Sequence, residues 1–121
     1  MYTRYRNQEF SIHAHITCKS SWVIYLITCS QYNKQYIGKT ETTLYTRFNN
    51  TRSEIRNFHL PQHKNLPYTV HFNLPSHSLD NAKITGIEII QTKSRDTILH
   101  RESFWISKLK TLQPLGINVT P

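Results

Sequence analysis

From Trp22 to Cys29 the chain reads Trp-Val-Ile-Tyr-Leu-Ile-Thr-Cys. A β-branched and aromatic run of this length, too apolar to leave one side in water, predicts a strand at the centre of a sheet. Ser30 to Lys34 is polar, contains Asn33 and has hairpin length, so Gln35 to Lys39 is expected to return antiparallel as a second strand. Gly38 within it leaves room for another backbone or a ligand. Thr40 or Thr42 then caps a helix to about Arg56, with Glu41 near its positive end and Leu44, Phe48 and Ile55 on one stripe. Residues 58–78 hold Pro61, Pro67, Pro75 and four histidines and should be mostly irregular. Lys83 to Ile90 alternates as a third strand. Asp96 caps the most regular helix, with Ile98, Leu99, Trp105, Ile106, Leu109 and Leu112 on one face until Pro114 stops it. The apolar tail Leu115 to Val119 is expected to return to the core. Residues 1–20 have no clean period, only Phe10, Ile12 and Ile16 as anchors, and read as a lead-in before one domain at 21–121.

Charge changes the picture more than length does. The 121 residues suit a single domain. Fifteen Lys and Arg against seven Asp and Glu leave a net +8 and a pI near 9.7, so a polyanion is the leading partner. The longest apolar run, Trp22 to Ile27, is far short of the ~20 residues that span a bilayer. The polar start is no signal peptide. We therefore expect a soluble, intracellular protein with no membrane partner. Two cysteines, Cys18 and Cys29, could form at most one disulfide, and reduced thiols or metal ligands are the better expectation.

Glu102 is the anomaly. Helical spacing sets it three or four residues from Ile98, Leu99, Trp105 and Ile106, so its carboxylate projects from the stripe that should face the core. A buried lone carboxylate costs several kcal/mol unless a cation or a metal answers it, and the residues alone leave both open. Arg47 and Thr51 share a face of the first helix, where an arginine can fork onto a phosphate or simply sit in water. Tyr25 and Tyr36 lie in consecutive strands joined by a short loop.

Taken together these features carry a resemblance. Ile24-Tyr25-Leu26, then Tyr36-Ile37-Gly38 beginning ten positions after Leu26, followed by Arg47 on a helix, Glu102 on a later helix and Asn118 near the end, resemble the GIY-YIG nuclease domain. That resemblance implies an α+β fold, a small three-stranded antiparallel sheet flanked by helices. Further segments resemble the endonuclease of Penelope-like retroelements: Val23 to Cys29, Asn33 to Gly38, His71-Phe-Asn, Ser76-His-Ser78, Glu102 to Ile106 and Pro114 to Asn118. The likeness spans Cys18 to Val119.

The resemblance implies a role for each matching residue. Tyr25 orients or deprotonates the attacking water, and Tyr36 contacts that water or the scissile phosphate. Arg47 stabilises charge developing on the phosphate. Glu102 holds one divalent cation, Mg²⁺ or Mn²⁺, kept largely hydrated. Asn118 supports the phosphate or the metal's waters, and Lys39 assists the tyrosine. Lys34, Arg52 and Arg56 would track DNA phosphates near the site. Two departures stand out. Thr51 replaces a histidine common four residues after the arginine, and no hydroxyl serves as a base near pH 7, so either Lys39 compensates or turnover is impaired. A Zn²⁺ knuckle would use Cys29, His71 and His77, but its second cysteine position is Tyr32, leaving Cys18 as the remaining thiol.

The expected function is therefore a metal-dependent DNA endonuclease that nicks target DNA for retroelement insertion, with a reverse transcriptase encoded separately or lost, acting in the nucleus. The alternative is a catalytically decayed module of the same fold that only binds nucleic acid.

Overall fold

The computed structural model describes residues 15–120, together with the backbone of an antiparallel ladder ahead of them, β1 (Tyr2–Tyr5) and β2 (Gln8–Ser11). Phe10 and Ile12, expected to anchor the lead-in, lie outside the described side chains; Ile16 is buried in the core.

The main sheet has three antiparallel strands, β3 (Ser21–Cys29), β4 (Gln35–Thr43) and β5 (Ala82–Ile89), in the order β4-β3-β5. The most apolar strand is central, as its pattern requires. Its odd and even residues bury on opposite faces. Val23, Tyr25, Ile27 and Cys29 pack with Leu44 and Ile55 of α1 (Leu44–Arg56) and with Tyr68 and Phe72 of α2 (Pro67–Phe72). Ile24 and Leu26 join Ile37 against Ile98, Ile106 and Leu109 of α3 (Arg95–Leu109). Helices thus cover both faces of the sheet.

Several boundaries move from their expected places. β4 continues to Thr43, because Thr40, Thr42 and Thr43 are β-branched and stay in the ladder, with Val23 opposite Thr40 and Ser21 opposite Thr43. Thr43 is therefore the cap, its Oγ1 accepting from the Thr46 N–H at 3.2 Å. Glu41 lies on the strand rather than at the helix start, and takes a hydrogen bond from Arg95 Nε at 2.9 Å. Ser94, not Asp96, caps α3. That helix ends at Leu109, before Pro114, with Lys110 left-handed at φ 55° and the Thr111 N–H donating to the Ile106 carbonyl. Leu99 is 49% exposed, because the packed stripe is narrower than the apolar one. The span 58–78 is not all irregular, since Pro67 opens the six residues of α2. Ile117 does return to the core.

Candidate active site

Across the β3–β4 ladder Tyr25 faces Gly38 and Tyr36 faces Ile27, so the two phenols are diagonal neighbours on one face. A Cβ at position 38 would overlap the Tyr25 ring, which is why a glycine stands there. Burial, reinforced by the neighbouring Tyr36, pushes the Tyr25 phenol well above its ordinary range. Burial and then Glu102 push Tyr36 up to about 12. Both rings are consequently neutral near pH 7. Each hydroxyl keeps its proton and can donate a hydrogen bond, and neither is a ready-made base.

α1 aims Arg47 at this pair. The guanidinium is fixed from three directions: Nε and Nη2 donate to Thr51 Oγ1 at 3.2 and 3.1 Å, and Nη2 also donates to Glu54 Oε1 and to Tyr68 Oη. Burial alone would lower the Arg47 pKa, but Tyr25, Tyr68 and Glu54 outweigh it and hold the charge in place. Thr51 has no solvent exposure, and its hydroxyl is a buried seat for the arginine. Tyr68 donates to Glu54 Oε1 at 2.7 Å and meets the Tyr36 ring edge-on at 5.1 Å. Glu54 and Tyr68 were not anticipated from the sequence. Glu54 is seven residues, about two turns, beyond Arg47, a usable signal. Tyr68 comes from a proline-rich stretch with no helical period, and only the fold brings it here.

Glu102, on α3, is near enough to raise the pKa of both phenols. Its side chain is 16% exposed, and Lys39 Nζ donates to its Oε1 at 3.4 Å. The partner is thus the lysine after Gly38. Asn118 is buried and bonded to the backbone of β4. Its Oδ1 accepts from the Ile37 N–H at 2.8 Å and from Thr111 Oγ1 at 2.7 Å, while its Nδ2 donates to the Ile37 carbonyl at 3.0 Å. With both ends of the amide engaged, Asn118 clamps the backbone between Tyr36 and Gly38. The three cations expected beside the site are also elsewhere. Arg52 and Arg56 leave α1 on its other flank, and Lys34 stands by His71 near the β3–β4 turn.

This constellation agrees with the family comparison, which matches the GIY-YIG catalytic domain over residues 21–115. The chain belongs to the GIY-YIG nuclease family. Among solved structures it is similar to the catalytic domain of the homing endonuclease I-TevI, with TM-score 0.65 and 22% identity over 82% of this chain and 98% of that one. A point mutant of the same I-TevI domain matches at TM-score 0.65 and 23% identity, over 80% and 91% of the two chains. Likeness at this identity speaks for the fold. No curated protein matches.

A second cluster lies away from the cleft of this GIY-YIG domain. Cys29 at the end of β3, His71 on α2 and His77 place their ligand atoms within 4.8 Å of one another. Zinc's bond lengths set ligands about 3.3–3.8 Å apart in a tetrahedron, so a small inward movement closes the site. The Nε2 atoms of both histidines are buried and unpartnered, while His77 Nδ1 sits 3.1 Å from the Pro75 carbonyl, an arrangement that frees Nε2 as the acceptor. Burial, then His77 and Lys34, lower the His71 pKa to about 4, which keeps its lone pair available. Cys18 does not belong here. It precedes the opposite end of β3, eleven residues from Cys29 and on the order of 25 Å away along an extended strand. Tyr32 packs its ring on His77 at 4.7 Å.

Proposed function

We propose that this domain is a DNA endonuclease that hydrolyses one phosphodiester per event by in-line attack of water. The observation that carries the reading is that Tyr25 of β3, Tyr36 of β4, Arg47 of α1 and Glu102 of α3, on four different elements, come near enough for Arg47 and Glu102 to act electrostatically on both phenols of a basic GIY-YIG domain. The neutral phenols orient the water and a non-bridging oxygen. Arg47, already held by Thr51, Glu54 and Tyr68, turns its remaining donors toward the negative charge on the phosphoryl oxygens as water's oxygen bonds to phosphorus and the P–O bond to the leaving oxygen breaks.

The donor set suits a divalent cation. Glu102 would hold Mg²⁺ or Mn²⁺ by one carboxylate, since its Oε1 already accepts a cationic partner and the 41% exposed Lys39 side chain is free to swing aside. When bound, such an ion supplies Lewis-acid charge to the phosphoryl oxygens. Cys29, His71 and His77 fit a structural Zn²⁺ with three protein ligands, and their two unpartnered nitrogens support it.

The Penelope-like segments support a narrower biological role: nicking target DNA in the nucleus so that a separately encoded reverse transcriptase can prime on the freed 3′ end. The rival reading, a decayed module that binds without cutting, draws on Thr51 and Tyr32, which stand where a histidine and a second knuckle cysteine would be more usual. A supercoiled-plasmid assay with Mg²⁺ or Mn²⁺ separates the two. Metal-dependent nicking that is lost in Glu102→Ala supports the enzyme. No nicking by the parent with either ion supports the decayed module, and undiminished nicking by Glu102→Ala means the roles are misassigned.

A further inference from the structure

α1 has two flanks, and the cleft uses one. Arg52 and Arg56 follow Arg47 by five and nine positions, which at about 100° per residue turns them roughly 140° and 180° around the helix. On that far flank they line an open groove with Lys83, near the start of the edge strand β5. All three side chains are exposed, and none forms an ion pair with a described residue. Arg52 lies over the Phe48 ring at 4.3 Å, which holds its planar face in the groove. Asp80 is the groove's acid, so the lining carries a net +2 from three cations and one carboxylate.

Four of the domain's other cations are paired. Arg47 is answered by Glu54, Lys39 by Glu102, Arg95 by Glu41 and Arg101 by Glu88. In a chain with only seven acids, the groove's cations converge without such an answer. Three like charges drawn together repel unless an external anion compensates them.

We propose that this groove is a second contact for duplex DNA, gripping backbone phosphates that flank the cut while the cleft on the opposite flank of α1 holds the scissile one. The proposal rests on the endonuclease reading for the identity of the polyanion. Its residues contact phosphate rather than bases, so the grip is independent of sequence and electrostatic.

The test measures binding apart from cleavage. A fluorescent duplex is titrated by anisotropy without added Mg²⁺ or Mn²⁺, at salt from about 50 to 200 mM, and log K is plotted against log salt. Converting Arg52, Arg56 and Lys83 together to Gln should lower the slope by roughly two to three, at about 0.9 per lost phosphate contact. Conversion to Glu should weaken binding further, and circular dichroism establishes that both variants remain folded. A control set, Lys19, Lys64 and Lys93 to Gln, removes the same charge elsewhere. An unchanged slope in the groove variants, or an equal drop in the control set, overturns the groove as a site. If the groove variants lose slope while the parent nicks no plasmid, the groove stands and the nuclease reading falls. The converse result keeps the nuclease and removes the groove.

Discussion

The cleft and the Cys29–His71–His77 cluster are built on shared elements, yet their polar atoms are treated in opposite ways. In the cleft the charges are answered from within the chain: Arg47 by Thr51, Glu54 and Tyr68, and Glu102 by Lys39. That site is assembled before any ligand arrives, and its donors need little rearrangement when charge develops. In the cluster two imidazole nitrogens are buried with no hydrogen-bond partner among the described residues. Such atoms cost free energy until something binds them. The difference separates a site preorganised for chemistry from one completed by a metal, and it implies that substitutions in the first should change rate and those in the second should change stability.

The sharpest way to break that contrast is Glu102→Ala. The residue is partly buried and its lysine partner is exposed, so we expect stability to move by no more than about 1 kcal/mol. Plasmid nicking should fall by about a thousandfold, as fits loss of several kcal/mol of charge stabilisation. A large drop in melting temperature with activity intact would reverse the assignment. Arg47→Lys comes next, with an expected loss of about a hundredfold, because an ammonium cannot reproduce the planar fork held by Thr51. Thr51→His, which would restore the family's more usual residue, should not rescue activity. It forces an imidazole into a fully buried seat and displaces the arginine, destabilising by about 1–3 kcal/mol.

How far the sequence could reach depends on whether a signal was local. The central strand, the hairpin and the Glu102 anomaly could be read from apolar runs and helical spacing, because each is set by neighbours within a turn or a ladder step. The family tripeptides added Tyr25, Tyr36 and Arg47. Tyr68 and the hold of Asn118 on the Ile37 backbone could not be read. Tyr68 reaches Arg47 across 21 positions and Asn118 reaches Ile37 across 81, and neither separation leaves a periodic trace. The placement of Arg52 and Arg56 was legible in principle, since the period that put Leu44, Phe48 and Ile55 on one stripe also turns those arginines away from Arg47. Proximity along the chain does not place those arginines beside Arg47 in space.

On the other side of the comparison, metal removal should act through folding. Loaded at about a hundred times its dissociation constant, Zn²⁺ would add roughly 2.7 kcal/mol, so chelation should lower Tm by on the order of 10 °C in a domain of this size. His71→Ala should abolish that shift, whereas Glu102→Ala should retain it. Metal analysis of the purified protein gives an independent answer, with about one equivalent expected.

The smallest effect concerns pH and uses His71 without its metal. Its folded-state pKa is lowered to about 4 by burial, His77 and Lys34, against 6.5 in the unfolded chain. Above pH 6.5 both states hold the ring neutral and the group contributes no pH dependence. As pH falls from 6.5 toward 4 the unfolded state binds a proton that the folded state refuses, so stability declines across that window. Metal-free protein should therefore show a Tm that drops through this interval, and His71→Gln should flatten that part of the profile. A metal-free profile equally steep in His71→Gln would place the titrating group elsewhere, and the cluster would lose its claim to be the part of the domain that waits for a ligand.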